Sequence, residues 1–259
     1  MLFGGWDVAG EKKERLDVLV VERGLCESRE QAQRLILAGL VMVNGHAHTK
    51  AGQRVDREAL LELKAQAPFV SRGGEKLQAA FESFGLQVGG LVCLDVGAST
   101  GGFTDCMLQH GAAQVIALDV GTGQLHWSLR QDPRVIVIER FNARYLEAKD
   151  LPAIPQFATF DVSFISLTLV MPPVVALLPP GGQMVTLIKP QFEAGRAQVE
   201  KGGVVRDPAV RAAVQERIRL FGTGTLGLEW LGVIESPILG PAGNVEFLGW
   251  WRKPEKVDA

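Results

Sequence analysis

Four charged residues of this chain stand where apolar runs stop or helical patterns begin. Lys189 closes the run Met184 to Ile188 in "GGQMVTLIKPQFE", and Asp161 ends the run in "FATFDVSFIS". Glu246 sits in "NVEFLGW", and Lys76 opens a helical pattern just after Ser71-Arg72-Gly73-Gly74. Lysines and carboxylates are groups that move protons and orient charge. Taken singly, each has a plainer reading: a strand-end lysine in solvent, a helix-capping aspartate, a surface glutamate, since charged residues usually stay solvated. Position argues for more. In open parallel sheets ligands bind beyond the carboxyl ends of the strands, and Lys189 and Asp161 stand at two such ends.

A second constellation lies earlier, in "LVCLDVGASTGGFTDCMLQHG", where a strand, a glycine-rich turn and a helix follow one another. Glycines at 97, 101 and 102 let backbone approach a ligand closely. The dinucleotide fingerprint G-x-G-x-x-G is not met, because Ser99 occupies its second glycine position. Asp119 ends the next strand, in "VIALDVG", where a carboxylate can accept both hydroxyls of a ribose. A turn without the pyrophosphate glycine but with the ribose acid suits S-adenosylmethionine, which carries no phosphate. Its sulfonium is positive, so the acidic strand end Asp95 is tolerable nearby. The expected contacts are Asp95, Gly97, Ala98, Ser99, Thr100, Gly101, Gly102, Phe103 and Asp119. Asn142, in "ERFNARYL", is placed either to reach an adenine edge or simply to shape a turn.

The elements that must hold these residues are legible from residue 71 onward. "GEKLQAAFESFG" is an amphipathic helix. Apolar strand runs then alternate with helices: Leu91–Val96, Val115–Val120, Val135–Ile138, Phe157–Val162 and Met184–Ile188. This is the pattern of a mostly parallel α/β sheet. After a helix over 208–221, "LEWLGVIESPI" and "GNVEFLGWWRK" leave little room between them, which predicts a final antiparallel pair. Residues 15–64 form a smaller α+β unit. Leu16, Leu19 and Val20 make a short helix that Gly24 stops. Ser28 is an N-cap with Gln31 at capping-box spacing, Gly39 ends that second helix, and Asn44-Gly45 marks a hairpin. Residues 65–70 read as a linker around Pro68, and residues 1–14 as a tail.

Composition narrows the classes. The 259 residues are 47% apolar with a net charge of −2, enough for a full core and too acidic for a basic nucleic-acid binder by bulk charge. Cys26, Cys93 and Cys106 have no metal-ligand spacing, which argues against a disulfide framework or a zinc site and for a reducing compartment. The longest apolar stretch, Phe164 to Pro179, is broken by Pro172-Pro173 and is shorter than the ~20 residues a membrane-spanning helix needs. The expectation is a cytoplasmic protein without a membrane or metal partner.

Together the motifs resemble one family. "SRGGEKL", "LDVGASTGGFTDC", "ALDVGTGQLHW", "FDVSFISL", "LIKPQFE" and "GNVEF" stand in the order found in the hemolysin A family of ribosomal RNA 2′-O-methyltransferases, whose catalytic domain is FtsJ-like. The resemblance runs from Arg15 to about Arg252. It implies a class I methyltransferase (Rossmann-like) fold over 71–259, S-adenosylmethionine as methyl donor, and a catalytic Lys-Asp-Lys-Glu tetrad at Lys76, Asp161, Lys189 and Glu246. Residues 15–64 resemble the small RNA-binding domain of a ribosomal small-subunit protein. Ribosomal RNA or ribosomal subunits are then the partners, with cytidine as the modified nucleotide. Arg15, Arg29, Gln31 and Arg34 form the expected RNA-binding face.

The implied chemistry is coherent. A ribose hydroxyl is a poor nucleophile and must lose its proton as the methyl arrives. Lys189 would steer the developing alkoxide and accept the proton late, Asp161 and Glu246 would orient the lysines, and Lys76 would add positive charge. The loop "PQFEAGRAQVEKGGVVRDP" is expected to form a mobile wall over substrate. Two other classes compete: an RNA-binding ribosome assembly factor with an inactive methyltransferase domain, which cofactor binding would discriminate, and a membrane-lytic hemolysin, which liposome leakage would reveal.

Overall fold

Asn44 and Gly45 both take positive φ, 49° and 78°, the left-handed pair that a two-residue hairpin turn demands. Around that turn the first part of the chain closes. The structure is a computed structural model that describes residues 12–64 and 67–255. It divides into two units, Met1–Ala67 and Pro68–Ala259. Of the expected tail 1–14, residues 1–11 lie outside the described residues, as do residues 65 and 66 of the expected linker.

The first unit runs β1 (Lys13–Arg15), α1 (Leu16–Glu22), α2 (Arg29–Leu37), β2 (Val41–Val43), β3 (His46–His48), β4 (Arg54–Asp56) and β5 (Leu61–Leu63). β2 pairs antiparallel with β3 across the Asn44-Gly45 turn and with β5 on its other edge, while β1 pairs with β4. Ser28 caps α2, its Oγ accepting from Gln31 N at 3.2 Å. The capping box is displaced by one residue: Gln31 Oε1 accepts from Glu27 N rather than from Ser28 N. Leu16, Leu19, Val20, Ala32, Ile36, Val41 and Val43 make the core of this unit.

The second unit begins with α3 (Gly73–Phe84). It continues β6 (Val92–Val96), α4 (Gly102–Gln109), β7 (Gln114–Leu118), α5 (Trp127–Gln131), β8 (Val135–Ile138), β9 (Phe157–Phe160), α6 (Leu167–Leu177), β10 (Gln183–Ile188), α7 (Pro190–Glu193), α8 (Pro208–Leu220), β11 (Glu229–Glu235) and β12 (Phe247–Arg252). Its seven strands lie in the order β11-β12-β10-β9-β6-β7-β8. β8, β7, β6, β9 and β10 are parallel, and β12 runs antiparallel between β10 and β11. The central strands are buried on both faces, as a helix-covered sheet requires. One apolar layer holds Leu77, Phe81, Phe103 and Met107 against one face; Val170, Val174, Ile218 and Trp251 fill the other.

Pro172 and Pro173 do not break the apolar stretch they interrupt. Both sit inside α6, where they remove two N–H donors from the helical ladder. Burial of Leu167, Val170, Met171, Val174 and Val175 on one stripe outweighs that loss. Among the described residues no helix is long and apolar enough to cross a membrane.

Candidate functional site

The parallel strands β6, β7, β9 and β10 deliver their C-terminal residues to one edge of the sheet, and three adjoining clefts open there. All three are lined by Ser99 and Asp161. One of about 330 Å³ runs along the β6–α4 turn and the start of α3. A second, of about 500 Å³, lies over the ends of β6, β7 and β9. The third, of about 530 Å³, is bounded by Lys76, Lys189, Glu246 and the loop after β10.

The four candidate catalytic residues come together as two ion pairs. Lys189 Nζ lies 2.6 Å from Asp161 Oδ1 and donates to Ser163 Oγ at 2.9 Å. Lys76 Nζ lies 2.6 Å from Glu246 Oε2. Both lysines are nearly buried, and Glu246 is 1% exposed. Buried charges persist only when paired, so each lysine requires its carboxylate. Lys189 Nζ also stands 5.8 Å from the ring centroid of Phe192.

The glycine-rich turn holds its shape for two reasons. Gly97 has φ +85°, and a Cβ on it would lie 2.7 Å from the Asp161 carbonyl oxygen, so it lets β6 end against the segment that carries Asp161. Ser99, at the position of the missing glycine, takes φ 47°. Its N–H donates to Asp119 Oδ2 at 2.8 Å, and Gly121 N donates to Oδ1 at 2.7 Å. Each Asp119 oxygen therefore has one backbone partner and one free lone-pair direction. Gly97, Ser99, Asp119 and Asn142 line the second cleft; Ala98, Thr100, Gly102 and Phe103 line the first. Asn142 serves the turn as well, its Oδ1 accepting from Arg144 N at 3.0 Å.

Two expected cofactor residues are elsewhere. Asp95 is fully buried inside the sheet, its oxygens accepting from Thr104 Oγ1 at 2.6 Å and Thr159 Oγ1 at 3.1 Å. Burial pushes its carboxyl up to about 7, against the two threonine hydrogen bonds. It ties β6 to α4 and β9 beneath the clefts and lines none of them. Gly101 is a packing glycine: a Cβ there would come within 2.3 Å of Leu129 Cδ1.

In the first unit the expected open basic face is largely committed. Asp17 is fully buried and accepts from Arg15 Nε and Nη2 at 3.0 Å each, from Arg29 Nη2 at 3.0 Å and from Gln33 Nε2 at 2.9 Å. The Arg15 guanidinium foremost, with Gln33 and Arg29, holds that carboxyl well below the usual carboxylate range. Arg15 and Arg29 thus neutralise an internal charge, Gln31 is part of the α2 cap, and Arg34 is the cation of the four with no ion pair among the described residues.

The loop after β10 walls the third cleft and is anchored at both ends. Its first residues form α7, and Glu193 anchors them: its oxygens accept from Leu167 N and Ser166 Oγ at 2.7 Å each and from Arg217 at 2.8 Å. Burial raises the Glu193 carboxyl above the ordinary range, and those donors offset part of the rise. Asn244 clasps the far end, accepting from Val205 N at 2.9 Å and donating to Gly203 O at 2.8 Å.

Sequence reasoning passed over Ser163, Phe164 and Gln191. Ser163 and Gln191 lie within two residues of Asp161 and Lys189, a proximity that could have flagged them. Phe164 is 92% exposed with φ +63°, a backbone state costly for an aromatic residue. Its ring lies 5.0 Å from that of Phe192, at the lip shared by the second and third clefts.

Comparison with known proteins identifies the family and the fold. The family model described as FtsJ-like methyltransferase matches residues 69–253, and the S4 domain model matches residues 14–61. The Mycobacterium tuberculosis protein named 16S/23S rRNA (cytidine-2′-O)-methyltransferase TlyA is 45% identical over 247 residues, 93% of this chain and 90% of that one. A Bacillus subtilis protein provisionally named rRNA methyltransferase YqxC is 52% identical over 239 residues, 92% of this chain and 85% of that one. A solved structure from Streptococcus thermophilus, provisionally named a hemolysin, superposes with a TM-score of 0.72 at 46% identity, covering 96% of this chain and 92% of that one.

Proposed function

This chain belongs to the FtsJ-like methyltransferase family and carries an S4 domain ahead of its methyltransferase unit, and from that premise we propose that it transfers a methyl group from S-adenosylmethionine to the ribose 2′-hydroxyl of a cytidine in ribosomal RNA. The observation that carries this reading is a contrast between two adjoining clefts, one lined by carboxylates without a cation and one by two lysine–carboxylate pairs. The 500 Å³ cleft has two carboxylates, Asp119 and Asp161, and no lysine or arginine in its lining. It suits a cationic, phosphate-free ligand. The adjoining 530 Å³ cleft has two lysines, paired with Asp161 and Glu246 of the same lining, and their remaining N–H donors suit a nucleotide. Asp161 lines both.

The residues fit the methyl donor. The free lone-pair directions of Asp119 can take two ribose hydroxyls, Val120, Phe141 and Ile165 give an adenine ring apolar contact, and the Asn142 amide can meet its edge. When bound, S-adenosylmethionine supplies an activated methyl on a positive sulfur. The protein places the acceptor hydroxyl in line with it, and in-line placement is a large part of the acceleration. Lys189, held by Asp161 and Ser163, steadies negative charge on the attacking oxygen, and the hydroxyl proton leaves through this pair. Lys76, held by Glu246, adds positive charge to the nucleotide cleft. Phe164 presents an open aromatic face at its lip, a surface on which a base can stack.

A polyanionic substrate also accounts for the exposed cations. Of the lysines and arginines described in the second unit, most are tied to a carboxylate or a carbonyl. Arg72, Arg140, Arg144, Arg196 and Lys201 have no hydrogen bond or ion pair from the side chain among the described residues, and all five are exposed. Arg72 lines the first cleft, Arg140 and Arg144 follow β8, and Arg196 and Lys201 follow β10. These positions rim the edge where the clefts open, as phosphate contacts that position a nucleic acid would. The S4 unit is the second docking element, through Arg34 and neighbouring backbone, and the protein acts in the cytoplasm.

The test is mapping of ribose methylation. Purified protein, ribosomal particles and S-adenosylmethionine should yield an alkali-resistant linkage after one or more cytidines, absent from particles of cells lacking the gene. Methyl transfer to a base, or none at all, refutes the reading.

A further inference from the structure

Gln191 is the second residue of α7, directly after Lys189 and Pro190. Its Nε2 donates to Glu246 Oε1 at 3.1 Å, while Lys76 Nζ reaches Oε2 of the same carboxylate at 2.6 Å. An ionised carboxylate only accepts, so the amide must turn its nitrogen toward Glu246, and the usual ambiguity between amide oxygen and nitrogen is resolved. That orientation leaves Gln191 Oε1 buried with no hydrogen-bond partner, alone in this respect among the side-chain atoms of the described residues. A buried acceptor without a donor lowers stability. Folding alone therefore does not account for a glutamine here. Gly240 closes over the carboxylate from another side; a Cβ there would lie 2.5 Å from Glu246 Oε1.

We propose that Gln191 is a positioning residue of the methyl-transfer site. It is a neutral donor that locks the Glu246 carboxylate, so that Lys76 Nζ is held toward the cleft it shares with Lys189 and Asp161. The proposal rests on the reading of that cleft as the methyl-transfer centre. A cation in place of Gln191 would compete with Lys76 for Glu246, and a second carboxylate would repel Glu246. A neutral amide grips one oxygen and leaves the other to the lysine. The orphaned carbonyl is the by-product of that choice.

Two variants test it. Gln191→Met keeps the length of the side chain and removes both the donor and the orphaned acceptor. The expected result is a thermal midpoint equal to or above that of the wild type. S-adenosylmethionine affinity and the KM for ribosomal particles should be unchanged. The kcat should fall about tenfold, the scale of one hydrogen bond to a charged group. Gln191→Glu gives a different signature. The titratable groups around the position are Lys76 on α3, Glu246 ahead of β12, Lys189 after β10 and Asp161 after β9. A carboxyl introduced beside Glu246 can donate to it only while the two share a proton, and neighbouring carboxyls hold one proton to higher pH than either alone. This variant should therefore work best at mildly acidic pH and lose activity as pH rises, over a range where the wild type does not. A wild-type kcat in Gln191→Met, a loss confined to KM, a midpoint lowered in step with kcat, or a wild-type pH profile in Gln191→Glu each overturns the assignment. Those results with an active wild type remove only Gln191; a wild type that transfers no methyl to ribose removes the site reading and this proposal together.

Discussion

Replacing Asp95 by asparagine should change how stability depends on pH rather than how the protein binds its methyl donor. Asp95 is fully buried, and burial lifts its carboxyl to about 7. In the unfolded chain an aspartate titrates near 3.9. Between those values the folded state holds a proton that the unfolded state has released, so stability falls as pH rises. The contribution is complete below about pH 4 and is lost as pH passes about 7, with a slope near 1.4 kcal/mol per pH unit and a total of roughly 4 kcal/mol. The substituted amide does not titrate, and it can accept from one of the two threonines and donate to the other hydroxyl. The assay is urea unfolding of wild type and Asp95→Asn at a series of pH values from about 4 to about 8, which covers the window between the two titrations and the plateau above it, followed by tryptophan fluorescence. Four of the five tryptophans, Trp127, Trp230, Trp250 and Trp251, lie in the second unit. The wild-type stability, taken relative to the variant, should fall from about pH 4 to about pH 7 and level off above it. Parallel curves would show that Asp95 is ionised throughout in the fold, and the account of its burial would fail.

Lys189→Ala should leave S-adenosylmethionine affinity intact and cut methyl transfer by on the order of 10²–10⁴-fold, the usual cost of losing a proton-transfer group; near-normal single-turnover rates would remove its role. Asp119→Ala should weaken cofactor binding by roughly 1.5–3 kcal/mol for each charge-assisted bond lost, read by calorimetry, because it strips both the ribose acceptor and the partner of Ser99 N and Gly121 N. Arg29→Glu should destabilise the first unit by roughly 1.5–3 kcal/mol, the scale of one lost hydrogen bond to a charged group, since it removes one of the two cations on buried Asp17, whereas Arg34→Glu should leave folding alone and weaken binding to ribosomal particles. Hydrogen exchange over residues 12–64 separates the two, and equal protection in both variants would refute the distinction.

The parallel strands were legible because a helix-covered strand must be apolar on both faces. Val135–Ile138 is found with the bounds its sequence implies, and β6, β7, β9 and β10 differ from theirs by a residue or two. The turn Asn44-Gly45 was legible because few residues tolerate positive φ. Strand order was harder. The antiparallel pairing of "LEWLGVIESPI" with "GNVEFLGWWRK" follows from the short connection, but nothing local places β12 inside the sheet beside β10. The four candidate catalytic residues were legible through the family resemblance, while their pairing was not, because Lys76 and Glu246 meet across 170 residues of chain. Asp95 misled because an acid at a strand end is compatible with either a ligand or a buried hydroxyl cluster, and sequence does not show which way the side chain turns. Arg15 and Arg29 misled similarly: their charge was visible, and the buried Asp17 that consumes it was not. Phe164 left no trace, since strain at φ +63° is a property of the assembled backbone.

The place of β12 also sets a timetable for synthesis. β10 is made long before its antiparallel neighbour, and its Ile188 edge finds Phe247 only when the strand that follows Glu246 has emerged. Until then the nascent chain exposes an unpaired, apolar strand edge, the kind of surface that recruits chaperones or sticks to its neighbours. Lys76 likewise waits for its carboxylate through nearly the whole translation of the second unit. An early-terminated product that stops within α8 would carry the glycine-rich turn, Asp119, Asp161 and Lys189, and would still be without half of its charge pairs. Completion of the sheet and completion of the second ion pair are thus the same event.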